Sequence, residues 1–110
     1  MAERDVQQAI RLALGRLPDV VLWRNSTGVA RPNDRVVRYG LCVGSSDLIG
    51  LLAPSGRFLA LEVKTTAGRT SLEQEQFLAL VRRRGGFACV VRSVAEALAA
   101  IDRARKGAVS

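Results

Sequence analysis

The chain predicts an α/β fold: a mixed β-sheet flanked by helices, with an αβββαβ core followed by a C-terminal helix. Three features carry that expectation. Short β-branched and apolar runs alternate with amphipathic segments of helical period. Pro54-Ser55-Gly56 separates two of the apolar runs by a tight turn, which makes them antiparallel neighbours. A strand–helix–strand passage follows, and it requires a parallel pair joined by a right-handed crossover. At 110 residues the chain is read as one domain over 1–110, large enough to bury a core without disulfides or a structural metal.

The elements follow in order. Residues 2–17 read as a helix ended by Pro18, with Glu3, Gln7, Ile10, Leu14 and Leu17 on one face. Val20-Val21-Leu22-Trp23 is a strand, and Trp23 is expected in the core. Residues 24–34 hold Asn, Ser, Thr, Gly, Pro and Asp and read as a loop. Short strands are expected over 35–39 and 48–52, and a longer one over 58–64. Ser71 opens a helix over 72–84 that Gly85-Gly86 closes. Phe87 to Arg92 is an apolar strand of the kind buried on both faces. Ser93-Val94-Ala95-Glu96 is a capping box that opens the last helix, to about Arg105. Residues 106–110 are expected to fray.

Charge and residue inventory narrow the function. Lys and Arg total 17 against 10 Asp and Glu, a net charge of +7. Only Lys64 and Lys106 are lysines, so the excess is arginine, whose planar fork suits phosphate. A basic domain of this size reads as a nucleic-acid binder. There is no histidine, which removes Ser–His–Asp, Cys–His and histidine–metal chemistry together. Cys42 and Cys89 stand alone in apolar runs, with no CxxC, and are expected to be buried free thiols in a reducing cytoplasm. No run approaches the roughly 20 apolar residues of a membrane span. Nothing calls for a small-molecule cofactor.

The chemistry concentrates in Gly44-Ser45-Ser46-Asp47 and Glu62-Val63-Lys64. Strand alternation puts Glu62 and Lys64 on one face, about 7 Å apart along the chain. Asp47, at the start of the neighbouring strand, is expected to reach the same face. Two carboxylates that close repel unless a cation lies between them. Asp47, Glu62 and a backbone carbonyl form an all-oxygen ligand set that favours Mg²⁺ or Mn²⁺. Lys64 would then orient a water or hold charge developing on phosphate. The structural alternative, a surface Glu–Lys pair worth under about 1 kcal/mol, fits poorly with a strand expected under helices.

These residues resemble the (P)D-(D/E)-x-K nuclease signature, whose fold is restriction-endonuclease-like. The series Glu3 with Gln7, Trp23-Arg24-Asn25 with Gly28, Gly44-Ser45-Ser46-Asp47, Glu62-Val63-Lys64, Glu73-Gln74 and Gly85-Gly86 resembles more narrowly the VRR-NUC family, in its stand-alone bacterial or phage form. Ser46 stands where the wider superfamily often has proline. The resemblance implies that Asp47, Glu62 and the Val63 carbonyl hold the metal and that Lys64 is the catalytic lysine. It also implies that Glu3 approaches the metal through water and that Gln74 lies beside the site. It further implies a homodimeric, structure-specific endonuclease acting on branched DNA such as Holliday junctions, in the cytoplasm. The rival of another class is a basic DNA-binding module or accessory subunit with a degenerate nuclease fold.

Several residues carry two readings. Glu3 serves equally as negative charge in a first helical turn. Gln74 completes a capping box with Ser71, yet shares a helix face with Leu78 and Val81 that looks inward. Arg24, Arg31, Arg35 and Arg38 are expected to hold DNA phosphates, against the alternative of a solvated loop. Arg69, with Thr65, Thr66 and Thr70, forms a second candidate phosphate cradle.

Overall fold

The computed structural model describes residues 2–110. In chain order the elements are α1 (Glu3–Leu14), β1 (Val20–Arg24), β2 (Gly28–Ala30), a 3₁₀ turn (Pro32–Asp34), β3 (Val37–Tyr39), β4 (Leu48–Leu52), β5 (Arg57–Val63), α2 (Leu72–Arg83), β6 (Phe87–Val91) and α3 (Val94–Arg105). Four strands form one mixed sheet in the order β1-β4-β5-β6. The pairs β1–β4 and β4–β5 are antiparallel, and β5–β6 is parallel with α2 as the crossover. The expected α/β architecture is therefore the observed one.

The two faces of the sheet are covered unequally. Leu59, Leu61 and Val63 of β5 point with Phe87, Cys89 and Val91 of β6 toward α1 and α3, where Ile10, Leu14, Ala97, Ala100, Ile101 and Ala104 complete the main core. On the other face Ala60 and Ala88 meet Leu78 and Val81 of α2. That helix packs chiefly on β5 and β6. The neighbouring stretch of this face, on β1 and β4, is open, which leaves Val21 and Trp23 about half exposed. Trp23 is thus a surface residue rather than a core one: its apolar run reads as buried, but it lies on an edge strand with no helix above it.

Other expectations need adjustment. Helix α1 stops at Leu14, one residue before Gly15, and the chain turns through Arg16 and Leu17 into Pro18. Leu17 still packs on the core from that turn. The segment read as a loop over 24–34 contains β2, which pairs with β3 as a two-stranded ribbon outside the main sheet. Every residue from 29 to 43 is exposed, Cys42 included, so only Cys89 fits the expectation of a buried thiol. The C-terminal residues are held rather than frayed, because the Val109 carbonyl accepts the Ala88 N–H at 3.0 Å and covers part of the β6 edge. Among the described residues no helix is long and apolar enough to cross a membrane.

Candidate active site

The β4–β5 register pairs Leu48 with Leu61, so one residue further along Asp47 lies opposite Glu62. Asp47 holds the ends of two strands. Its Oδ2 accepts the Val63 N–H at 2.9 Å, and its backbone carbonyl accepts the Asn25 N–H at 2.8 Å. Glu62 points to the α2 side and is 1% exposed. Lys64 Nζ lies 3.8 Å from Glu62 Oε2. The three side chains singled out from the sequence do converge at one end of the sheet.

Electrostatically the cluster is incomplete. Burial, then a hydrogen-bonding contact and charge repulsion with Asp47, push the Glu62 carboxyl up to about 9; Lys64 pulls it down, and Glu3 adds a smaller upward push. Glu62 Oε1 is buried with no hydrogen-bond donor, and so is the hydroxyl of Ser46, next to Asp47. Buried polar atoms of this kind ordinarily find partners. Here the shortfall falls where two carboxylates face one another, so a shared proton or a cation must lie between them. Among the described residues no group of three or more acids, cysteines or histidines forms a complete metal cage. Two carboxylates and a carbonyl suit an ion that keeps waters and takes oxygens from a phosphate, as Mg²⁺ does. Glu3 is half-buried at the start of α1 and acts on Glu62 only as the last of these influences.

Gln74 satisfies both of its sequence readings, because an amide has two ends. Its Oε1 accepts the Ser71 N–H at 2.8 Å while its own N–H donates to Ser71 Oγ at 3.1 Å, closing the capping box. Its Nε2 donates to Glu62 Oε2 at 3.3 Å. The first turn of α2 is thereby fixed relative to the acid. Gly44 brings the opposite wall in: its φ is +87°, and a Cβ there would fall 2.4 Å from the Glu73 backbone. The turn before Asp47 rests directly on α2, an approach open to glycine alone.

Asn25 and Arg92 belong to the site's support and carried no assigned role from sequence. Asn25 Nδ2 donates to Ser45 Oγ and to the Ser46 carbonyl, each at 2.9 Å. With its backbone N–H on Asp47, it fastens the whole Ser45–Asp47 turn to the end of β1. Arg92 donates to the carbonyls of Thr65 and Gly68 and shapes the loop after Lys64. The polar run after Val20–Trp23 is a faint signal for Asn25; nothing local marks Arg92. Replacing Asn25 with Ala should cost about 1–3 kcal/mol, read as a lower melting temperature, by stranding the Ser46 carbonyl. A variant that melts with wild type would show that these bonds do not hold the Ser45–Asp47 turn.

The expected phosphate-binding arginines are spread over three segments of the chain. Arg24 lines a polar cleft that also includes Asp47. Arg31, Arg35 and Arg38 lie on the β2–β3 ribbon and its connecting turn, and Arg69 lies on the loop after Lys64. All five are exposed, and among the described residues none takes part in an ion pair.

The family model of the VRR-NUC domain matches residues 30–95. The chain belongs to the VRR-NUC domain family. The matched span of this VRR-NUC chain contains Asp47, Glu62, Val63, Lys64 and Gln74, together with Arg31, Arg35, Arg38 and Arg69; Glu3 and Arg24 lie before it. No curated protein matches the chain. VRR-NUC membership gives it a nuclease-type function in DNA processing, with DNA as the substrate.

Proposed function

We propose that this VRR-NUC domain is a Mg²⁺- or Mn²⁺-dependent endonuclease that hydrolyses DNA phosphodiester bonds, acting as a homodimer on branched DNA such as Holliday junctions. The observation that carries the proposal is the buried Glu62 carboxyl facing Asp47, with its Oε1 unpartnered and Lys64 3.8 Å from its Oε2. Asp47, Glu62 and the Val63 carbonyl would hold the ion. In an extended strand a residue's N–H and C=O point the same way. The Val63 N–H points at Asp47, so its carbonyl lies on that side too. When bound, the ion supplies Lewis-acid polarisation of the phosphate and a more acidic water.

The protein's own groups do the rest. Lys64 offers positive charge next to the acids, where it stabilises charge building on the phosphate or fixes the attacking water. Gln74 keeps the Glu62 carboxylate turned toward Asp47, and Asn25 keeps Asp47 at the end of β4. Arg24, Arg31, Arg35, Arg38 and Arg69 bind backbone phosphates and so position the DNA without reading its sequence. The open sheet face with Val21 and Trp23 supports the dimer, since a second copy would cover apolar surface that water otherwise meets.

The test is incubation of a four-way junction and a linear duplex with Mg²⁺ or Mn²⁺, with EDTA as control and light scattering for the oligomeric state. Junction cleavage by a species of twice the chain mass is expected. Binding without cutting under both ions would favour a DNA-binding module, and equal cutting of the duplex would remove the branch preference.

A further inference from the structure

A polar cleft of about 290 Å³ opens beside Asp47, lined by Gln7, Arg24, Asn25, Thr27, Ser45 and Tyr39. Its walls are hydrogen-bonding groups except for one aromatic ring. The chain has three phenylalanines, one tryptophan and one tyrosine. Phe87 is buried, and Phe58 and Phe77 are half-buried against the α2 side of the sheet. Trp23 is exposed, but strand alternation sends it to the face opposite Arg24, away from the cleft. Tyr39 is therefore the aromatic that borders the cleft, and it is 51% exposed.

The position of that ring is built into the ribbon. Tyr39 pairs directly with Gly28, and a Cβ on Gly28 would fall 2.5 Å from the tyrosine hydroxyl oxygen. Any other residue at 28 would displace the ring, so the glycine lets it lie across the backbone at the mouth of the cleft. A half-exposed ring fixed there, with the exposed guanidinium of Arg24 and amide and hydroxyl groups below, combines a stacking face, a phosphate contact and partners for a base edge. Those are the parts of a site for a single unpaired nucleotide. Base-paired DNA offers no free base face to it.

We infer that the cleft holds one unpaired nucleotide next to the phosphate to be cut, with its base stacked on Tyr39. Resting on the reading that DNA backbone passes Asp47, this names the feature by which the site selects its substrate: a nucleotide freed from pairing, as at a branch point, gap or flap. A fully paired duplex meets only the arginines.

The test measures binding in EDTA, where no cutting occurs, using a duplex with a one-nucleotide unpaired bulge and a fully paired duplex of equal length. Wild type and Tyr39→Phe should prefer the bulged DNA. Tyr39→Leu, which keeps apolar bulk but not the aromatic face, should lose roughly 5- to 150-fold in affinity for the bulged DNA, the size of one base–aromatic stack. Its affinity for the paired duplex should hold. A 2-aminopurine in the bulge should be quenched on binding wild type and stay bright with Tyr39→Leu. Equal losses on both DNAs, or a Tyr39→Leu variant that matches wild type, would overturn the inference. Because no metal is present, a protein that shows this pattern yet fails to cut any DNA with Mg²⁺ or Mn²⁺ would sink the nuclease proposal and leave the nucleotide site standing. Cleavage with no role for Tyr39 would do the reverse.

Discussion

Replacing Glu62 with Gln should lower Mg²⁺-dependent cleavage by about 10³-fold or more, and replacing Lys64 with Ala by about 10²–10³-fold, with DNA affinity in EDTA nearly unchanged. The two losses have different causes. Glu62→Gln keeps the size of the side chain, and the new amide could still meet Gln74, but it removes a formal charge from the pair that is to hold the ion. Lys64→Ala leaves both acids in place and removes the cation 3.8 Å from Glu62 Oε2. Its stem lies along the following loop, where a Cβ on Gly68 would meet it at 3.4 Å, so the ammonium is aimed rather than free. More Mn²⁺ should therefore partly rescue the glutamine variant and leave the alanine variant slow. Affinity is expected to persist because, in the proposed reading, the five exposed arginines would make the phosphate contacts, and neither substitution touches them. Full cleavage by either variant, measured on a labelled junction at saturating enzyme, would remove these residues from the reaction.

Why some of this was legible from sequence and some was not comes down to range. Strands β4, β5 and β6, the helix between them and the Ser71 cap follow from local pattern and turn chemistry, and they alone place Glu62 and Lys64 on a shared face. Asp47 needed one further inference, the antiparallel register across Pro54–Gly56, which the short turn made safe. The misreadings depend on distant chain. Trp23 sits in an apolar run like any core strand; that its face is open depends on α2, far along the chain, stopping short of β1. Strand β2 has no apolar alternation to announce it, since it is three residues long and mostly exposed, and only its pairing with β3, the strand expected at 35–39, defines it. Asn25 and Arg92 act through backbone carbonyls 21 and 24 or more residues away. The tail is pinned by a bond between Ala88 and Val109. Gln74 is the instructive case: cap and site contact are compatible, because its side-chain oxygen makes one and its side-chain nitrogen the other.

Without a divalent ion, the protein should lose stability as pH rises from about 5 to 9, and Glu62→Gln should not show that loss. In the unfolded chain Glu62 ionises near its ordinary value of 4.5, whereas in the fold its carboxyl is held up to about 9 by burial and by Asp47. Between those values the native state holds a proton that the unfolded state has released. Stability then falls with rising pH, because the unfolded state binds fewer protons. The group's contribution is full below about 4.5 and is lost as pH climbs through the folded value. Ionising the acid in place costs at most about 6 kcal/mol over that interval, and less once the surroundings relax. For a domain of this size that amounts to several degrees of melting temperature per kcal/mol. The glutamine variant should match or exceed wild type above about pH 8 and melt with a flatter pH profile. Mg²⁺ or Mn²⁺ should reverse the wild-type loss, and more so at about pH 8.5 than at about pH 6, because binding must displace the shared proton. Melting curves over about pH 5–9, with and without ion, test this directly. If both proteins melt in parallel, and ion raises both equally, Glu62 is not the group that couples folding, protons and metal at this site.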